Sequence, residues 1–166
     1  MNKDQSYIFK EHIWPLRDKM FRLAHRITLS QEEAEDVVQD TMERLWRERD
    51  NFSIINSIEA WTLRLVRNLS LDRLKRSGRN TVALDAERDA ALAASTDQQM
   101  ELEEKMHIVR EAMDRLPEIQ RSIMQLRDIE GKTYTEIADI LQISESQVKV
   151  YLHRGREKVK KSLIGV

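Results

Sequence analysis

The chain has 166 residues, a net charge of −1 and no cysteine, which excludes disulfides and thiolate metal sites and leaves room for one or two small domains. Two prolines, four glycines and 34% charged residues favour an all-α protein, and a near-neutral sum leaves any nucleic-acid affinity to segregated charge. No apolar run approaches a membrane span and no signal-peptide pattern is visible, so a cytoplasmic protein with no membrane insertion of its own is expected.

An amphipathic helix is predicted from about Tyr7 to Ile27, where Leu16, Met20, Leu23 and Ile27 recur at helical spacing; Pro15 should kink or divide it. Ser30 followed by Glu33 reads as a capping box opening a second helix over 32–49. Ala34, Val38, Met42 (or Thr41) and Leu45 face inward there, while Glu32, Glu35, Asp36, Gln39, Asp40 and Glu43 form an acidic outer face. A loop from Asn51 to Ser57 leads to a third helix from about Ile58, carrying Trp61, Leu65 and Leu69 and ending near Ser77 and Gly78. Its outer face is basic, with Arg64, Arg67, Arg73, Lys75 and Arg76 around Asn68.

The pattern breaks from about Thr81 to Gln99, an acidic, alanine-rich stretch with no sustained apolar face, read as a flexible linker. About twenty extended residues reach roughly 65–70 Å, more than the roughly 34–36 Å of one duplex turn. Helices resume near Glu101, with Met106, Val109, Met113 and Leu116 on one face. Pro117 suits the first turn of the next helix, which carries Ile119, Ile123, Leu126 and Ile129.

Two further capping boxes follow, Thr133 with Glu136 and Ser144 with Gln147, after Gly131 at a helix end. The first opens a short helix, Tyr134 to Leu141, with Ile137, Ala138 and Leu141 on one face. The second opens a helix whose buried stripe is Val148, Leu152, Gly155 and Val159 and whose outer face offers Ser146, Lys149, Val150, His153 and Arg154, with Arg156 beside them. Short helix, tight turn and a second helix with a polar, basic outer face define a helix-turn-helix that reads a major groove. His12, His25, His107 and His153 show no metal-ligand spacing, and no catalytic residue, metal or cofactor is expected.

The order of these segments resembles a known family. The run 35–42, Glu-Asp-Val-Val-Gln-Asp-Thr-Met, is similar to the polymerase-binding helix of bacterial sigma factors. Asn51 and Phe52, Trp61, then Arg67 and Asn68 look like the family's promoter-melting loop and helix; Leu116-Pro117-Glu118, Leu126-Arg127, Glu130-Gly131 and the run from Tyr134 resemble its promoter-reading last domain. With only the second and fourth family domains present, the chain resembles the extracytoplasmic-function group.

The resemblance implies two helical domains, 1–79 and 101–166, joined by a linker over 80–100, the second a four-helix unit. It implies core RNA polymerase as partner, through its clamp coiled coil and flap, with promoter DNA and an anti-sigma factor. Asp36, Val37, Gln39, Asp40 and Met42 would dock on the clamp. Asn51, Phe52, Ser53, Asn56, Arg64, Arg67, Asn68, Arg73, Lys75 and Arg76 would hold the melted −10 strand; Trp61 reads as a core residue, and Phe52 as either core or stacking platform. Ser146, Gln147, Lys149, Val150, His153, Arg154 and Arg156 would read the −35 element, Arg154 and Arg156 gripping either base or phosphate. Relatives carry Arg-Gly after the Phe where this chain has Ser53 and Ile54, which leaves its preferred −10 sequence open. Two other functions fit parts of the pattern: a stand-alone helix-turn-helix regulator, and a nuclease using the acids of 32–40. One solvated helix face lacks the converging carboxylates that a metal-dependent nuclease requires.

Overall fold

The structure, a computed structural model, describes residues 3–78 and 97–164. The described residues are helices and turns with no strand. The expected linker lies outside them except for 97–100, which already form the first turn of a helix.

The chain opens with α1 (Lys3–Ile8), which runs through a π turn at Phe9–Ile13 and a 3-10 turn at Trp14–Leu16 into α2 (Arg17–Thr28). The predicted kink is this pair of turns: Pro15 has no amide hydrogen to continue an α ladder. Leu29, at φ 59°, stops α2 by donating to His25 O. Helix α3 (Gln31–Arg47) starts where the Glu33 amide donates to Ser30 Oγ at 3.3 Å. The Ser30 amide donates to Thr28 Oγ1, so the box closes through a neighbouring threonine.

A 3-10 segment, Arg49–Ile54, replaces most of the predicted loop and hands over to α4 (Ile58–Ser77), capped at its start by Ser57 and at its end by Gly78 at φ 68°. Helices α2, α3 and α4 pack on one another. Met20, Leu23, Ile27, Ala34, Leu45, Leu63 and Val66 fill the space between them with no exposed surface. Burying a side chain of this kind is worth about 1.5–3 kcal/mol, so this core alone outweighs any surface ion pair.

The second half contains α5 (Asp97–Asp114), α6 (Glu118–Met124) ending in a π turn at Gln125–Ile129, α7 (Tyr134–Leu141) and α8 (Glu145–Ile164). Helix α8 lies against α5, α6 and α7. Its predicted stripe is the buried one: Val148, Leu152, Gly155 and Val159. Gly155 lies where the side chains of α6 come close, leaving little room for a Cβ. A Cβ at that position would stand 3.1 Å from Met124 Sδ and 3.4 Å from Gln120 Cβ. Pro117 sits one place earlier than expected, as the N-cap of α6. Met106 and Ile129, expected to be buried, are exposed; the covered face of α5 comes from Ala112 and Met113 near its end.

The two halves are in contact, α2 with α6 and α4 with α7. This seam bears on every site described next.

Candidate nucleic-acid and polymerase interfaces

The helix-turn-helix is built as its sequence directs. The Glu136 amide donates to Thr133 Oγ1 at 3.1 Å and starts α7. Gln142, at φ 56°, ends it and turns the chain, its side-chain amide donating to Asp139 O. At the start of α8 both halves of the capping box form: the Gln147 amide donates to Ser144 Oγ at 3.1 Å, and the Ser144 amide donates to Gln147 Oε1 at 3.0 Å. Gln147 therefore spends its carbonyl on the cap and keeps only its NH2 for DNA.

With the stripe of α8 buried, Ser146, Gln147, Lys149, Val150, His153 and Arg154 project outward together. Val150 is 47% exposed, an apolar group among polar ones, as contact with a thymine methyl requires. Lys149 Nζ lies 5.6 Å above the Tyr134 ring, which keeps the cation at the mouth of the face. Arg156 departs from its expected role. It forms a fork on Asp128 of the preceding π turn, Nε at 3.2 Å and Nη2 on the other oxygen. That pair raises the Arg156 pKa through the Asp128 hydrogen bond and ties α8 to the turn.

The −10 face divides in a similar way. Asn51, Ser53, Asn56, Asn68, Lys75 and Arg76 are exposed. Phe52 is not: 4% of it is exposed, and its ring meets Trp61 edge to face at 6.3 Å. The even choice between core and stacking platform resolves to core for Phe52, because the 3-10 segment folds its ring inward. Trp61 is half-buried against it. A recess beside this segment is lined by Ile55, Asn56, Ser57, Trp61 and Arg64, and its far wall is Asp139 of α7.

Three of the expected groove cations are engaged. Arg64 Nη2 donates to Asp139 Oδ1 at 2.7 Å and to Asp139 O at 2.8 Å. Arg67 grips Glu118 with both arms at 3.1 Å. Arg73 bridges Asp40 at 2.9 Å and Asp36 at 3.3 Å. The first two pairs cross the seam; the third joins α4 to the acidic face of α3.

On that acidic face, Asp36 and Asp40 are each about half exposed, Gln39 is exposed and Met42 is half-buried. Val37 has no exposed surface and cannot contact a partner. It shares the inward face with Ala34, Thr41 and Leu45, one helical step on, and belongs to the core.

The seam residues were invisible in the sequence. Glu59 accepts Lys19 at 2.8 Å and also Lys132 from the second half. Arg22 holds Glu130 at 2.6 and 2.9 Å. Arg26 donates to Asp114 at 2.8 Å and to Gln125 at 3.0 Å. Burial, with Arg110 nearby, pushes Arg26 down to about 10. Arg121 is 6% exposed and rests on the carbonyls of Leu116 and Ile27 at 2.9 and 3.0 Å. No periodicity announces such pairs, since apart from Arg121 on Leu116 their partners stand 40–108 residues apart in the chain. Among the described residues no His, Asp and Glu cluster could hold a metal ion, and no helix is long and apolar enough to cross a membrane.

Residues 15–80 match the model of sigma-70 region 2, and residues 106–159 that of sigma-70 region 4. The sigma-H factor of Pseudomonas aeruginosa is 30% identical over 155 residues, covering 87% of this chain and 80% of the relative. The extracytoplasmic-function sigma factor SigE of Mycolicibacterium smegmatis is 33% identical over 146 residues, 86% of this chain; the match spans only 56% of that longer relative. Among solved structures, the sigma factor RpoE of Bartonella quintana, crystallised with the anti-sigma factor NepR, shares the fold. Its TM-score is 0.75 over 93% of this chain and 96% of that one, at 22% identity. The chain belongs to the sigma-70 family, in its extracytoplasmic-function group.

Proposed function

We propose that this protein is a transcription initiation factor that binds core RNA polymerase and directs it to particular promoters, with no reaction of its own. The observation that carries this reading is the outward face of α8, where Lys149, Val150, His153 and Arg154 are exposed while the opposite stripe is locked in the core. Such a face reads base edges at the −35 element, each good bidentate pair discriminating by about 1–3 kcal/mol.

The outer group on α3, the exposed Gln39 and Asp40 with the partly exposed Asp36 and half-buried Met42, docks on the clamp coiled coil. The second half, with α7 and α8, docks on the flap. Asn51, Ser53, Asn56 and Asn68 meet the unstacked −10 strand, and Lys75 and Arg76 guide its phosphates. Melting needs no covalent chemistry, because capture of unstacked bases draws the duplex equilibrium open. Residues 1–79 and 101–166 serve as the two working domains. An anti-sigma factor is the expected inhibitor; the Bartonella relative was crystallised with one.

The test is permanganate footprinting of thymines in open complexes made with core polymerase. Asn68→Ala should leave closed-complex formation intact and reduce thymine reactivity. Equal loss of both would place Asn68 outside the melting step.

A further inference from the structure

Lys149 stands on the second turn of α8, in the part of a reading helix that reaches base edges. It is exposed, and among the described residues it makes no hydrogen bond and no ion pair. A lysine in that state carries its charge on a flexible four-carbon stem and sweeps a wide arc. Here the ammonium lies 5.6 Å from the centroid of the Tyr134 ring. Tyr134 is not among the residues that the sequence pattern assigns to DNA.

The ring is a firm seat. Tyr134 is the first residue of α7, next to the Thr133 cap, and its side chain is half-buried against the core. Arg127 lies 4.6 Å from the centroid of the same ring, and its Nη1 donates to Lys132 O at 2.9 Å. The residue after it, Asp128, forks Arg156 of α8. The π turn at Gln125–Ile129 therefore braces both the ring and the helix that carries Lys149.

We propose that Tyr134 is a positioning residue for −35 readout: its π face seats the Lys149 ammonium at one base edge and thereby sets how sharply the protein tells promoters apart. This rests on the reading of α8 given above and deepens it. A cation over an exposed ring favours the seated state about two- to fivefold. Part of the ordering that DNA would otherwise impose on the lysine stem is then complete before contact. A seated ammonium also cannot follow an acceptor that stands elsewhere, so a duplex without guanine at that edge is rejected more strongly than by a roaming lysine.

In the experiment, complexes of core polymerase with the full chain select from promoter duplexes randomised across the −35 element, and the enrichment of each base pair is read by sequencing. Lys149→Ala marks the position that Lys149 reads. Tyr134→Leu, which keeps apolar bulk and removes the ring, should lower the preference at that same position about two- to fivefold. It should leave the other positions unchanged and add nothing in the Lys149→Ala background. Tyr134→Phe should keep the wild-type preference, because the ring and not the hydroxyl is the seat. In the wild-type chain the Lys149 Cε protons should resonate upfield of those of the other lysines, as protons over an aromatic face do.

An equal loss at every position in Tyr134→Leu overturns the proposal, since that is the mark of a support for α7 or of a phosphate contact. A loss in Tyr134→Phe as large as in Tyr134→Leu overturns it too. If the leucine variant does not fold, the proton shifts decide: an ordinary position for Lys149 overturns the seat. If Lys149→Ala costs no preference at any position, the base reading of Lys149 falls. If it costs that preference while Tyr134→Leu costs none, only the seat falls.

Discussion

Arg73 on α4 donates to Asp40 on α3 at 2.9 Å, and its other arm reaches Asp36 at 3.3 Å. A cation expected to face DNA and two acids expected to face polymerase thus neutralise one another. Arg73 is thereby tied to the acidic face of α3. The salt slope of single-strand binding by the polymerase complex should therefore be unchanged in Arg73→Ala. Lys75→Ala, removing a free cation, should lower the slope by about 0.7. Anisotropy titrations at several salt concentrations distinguish the two.

The same bridge changes which substitution best probes polymerase docking. Asp40→Arg would place a second cation against Arg73 and disturb the α3–α4 contact as well as the face. Gln39 is exposed and lies between the two acids in sequence. Gln39→Arg should abolish co-elution with core polymerase while the thermal midpoint stays at the wild-type value.

Gly155 gives a prediction on stability. A Cβ there meets Met124 Sδ at 3.1 Å and Gln120 Cβ at 3.4 Å, so Gly155→Val adds two further methyl groups to a contact that is already tight. Overpacking of this kind costs about 1–3 kcal/mol. Thermal unfolding should show a lower midpoint, with weakened −35 binding because α8 loses its seat.

Much of this was legible beforehand, and the reasons are local. The caps at Ser30, Thr133 and Ser144 lie within three residues of the amides they bind, and the stripe of α8 follows from period alone. The same period placed Ala34 and Val38 inside, and it also covers Val37, which the likeness of its motif drew into the docking face. Phe52 required knowledge that 49–54 would coil into a 3-10 turn. The fates of Arg64 and Arg67 depend on how the halves dock, and their partners lie 75 and 51 residues away. A basic helix face looks the same in sequence whether it meets DNA or a neighbouring carboxylate.

Glu59 supplies a pH dependence. Burial alone would raise its pKa, but the hydrogen bonds from Lys132 and Lys19 outweigh burial and hold it below the ordinary carboxylate value. A carboxyl depressed in the folded state contributes stability that is present above its unfolded pKa and lost as pH falls through the folded one. Glu59→Gln should therefore lower the thermal midpoint at neutral pH, and the gap from wild type should close on acidification below the normal glutamate range.

In the last domain, Lys149→Ala should weaken one class of promoter more than others, as removal of a base-edge contact does. Arg154→Ala separates phosphate from base contact by the same comparison: uniform loss across sequences marks a phosphate grip. Binding competition across a promoter library measures both.

Run-off transcription with purified core polymerase tests the central claim most directly. Core enzyme alone should give no specific product on a promoter fragment taken from upstream of genes that rise when this protein is overproduced, and added protein should give one transcript of defined length. Tight, sequence-specific duplex binding by the protein alone, with no transcript and no association with core polymerase, would contradict the account and make the chain a stand-alone regulator.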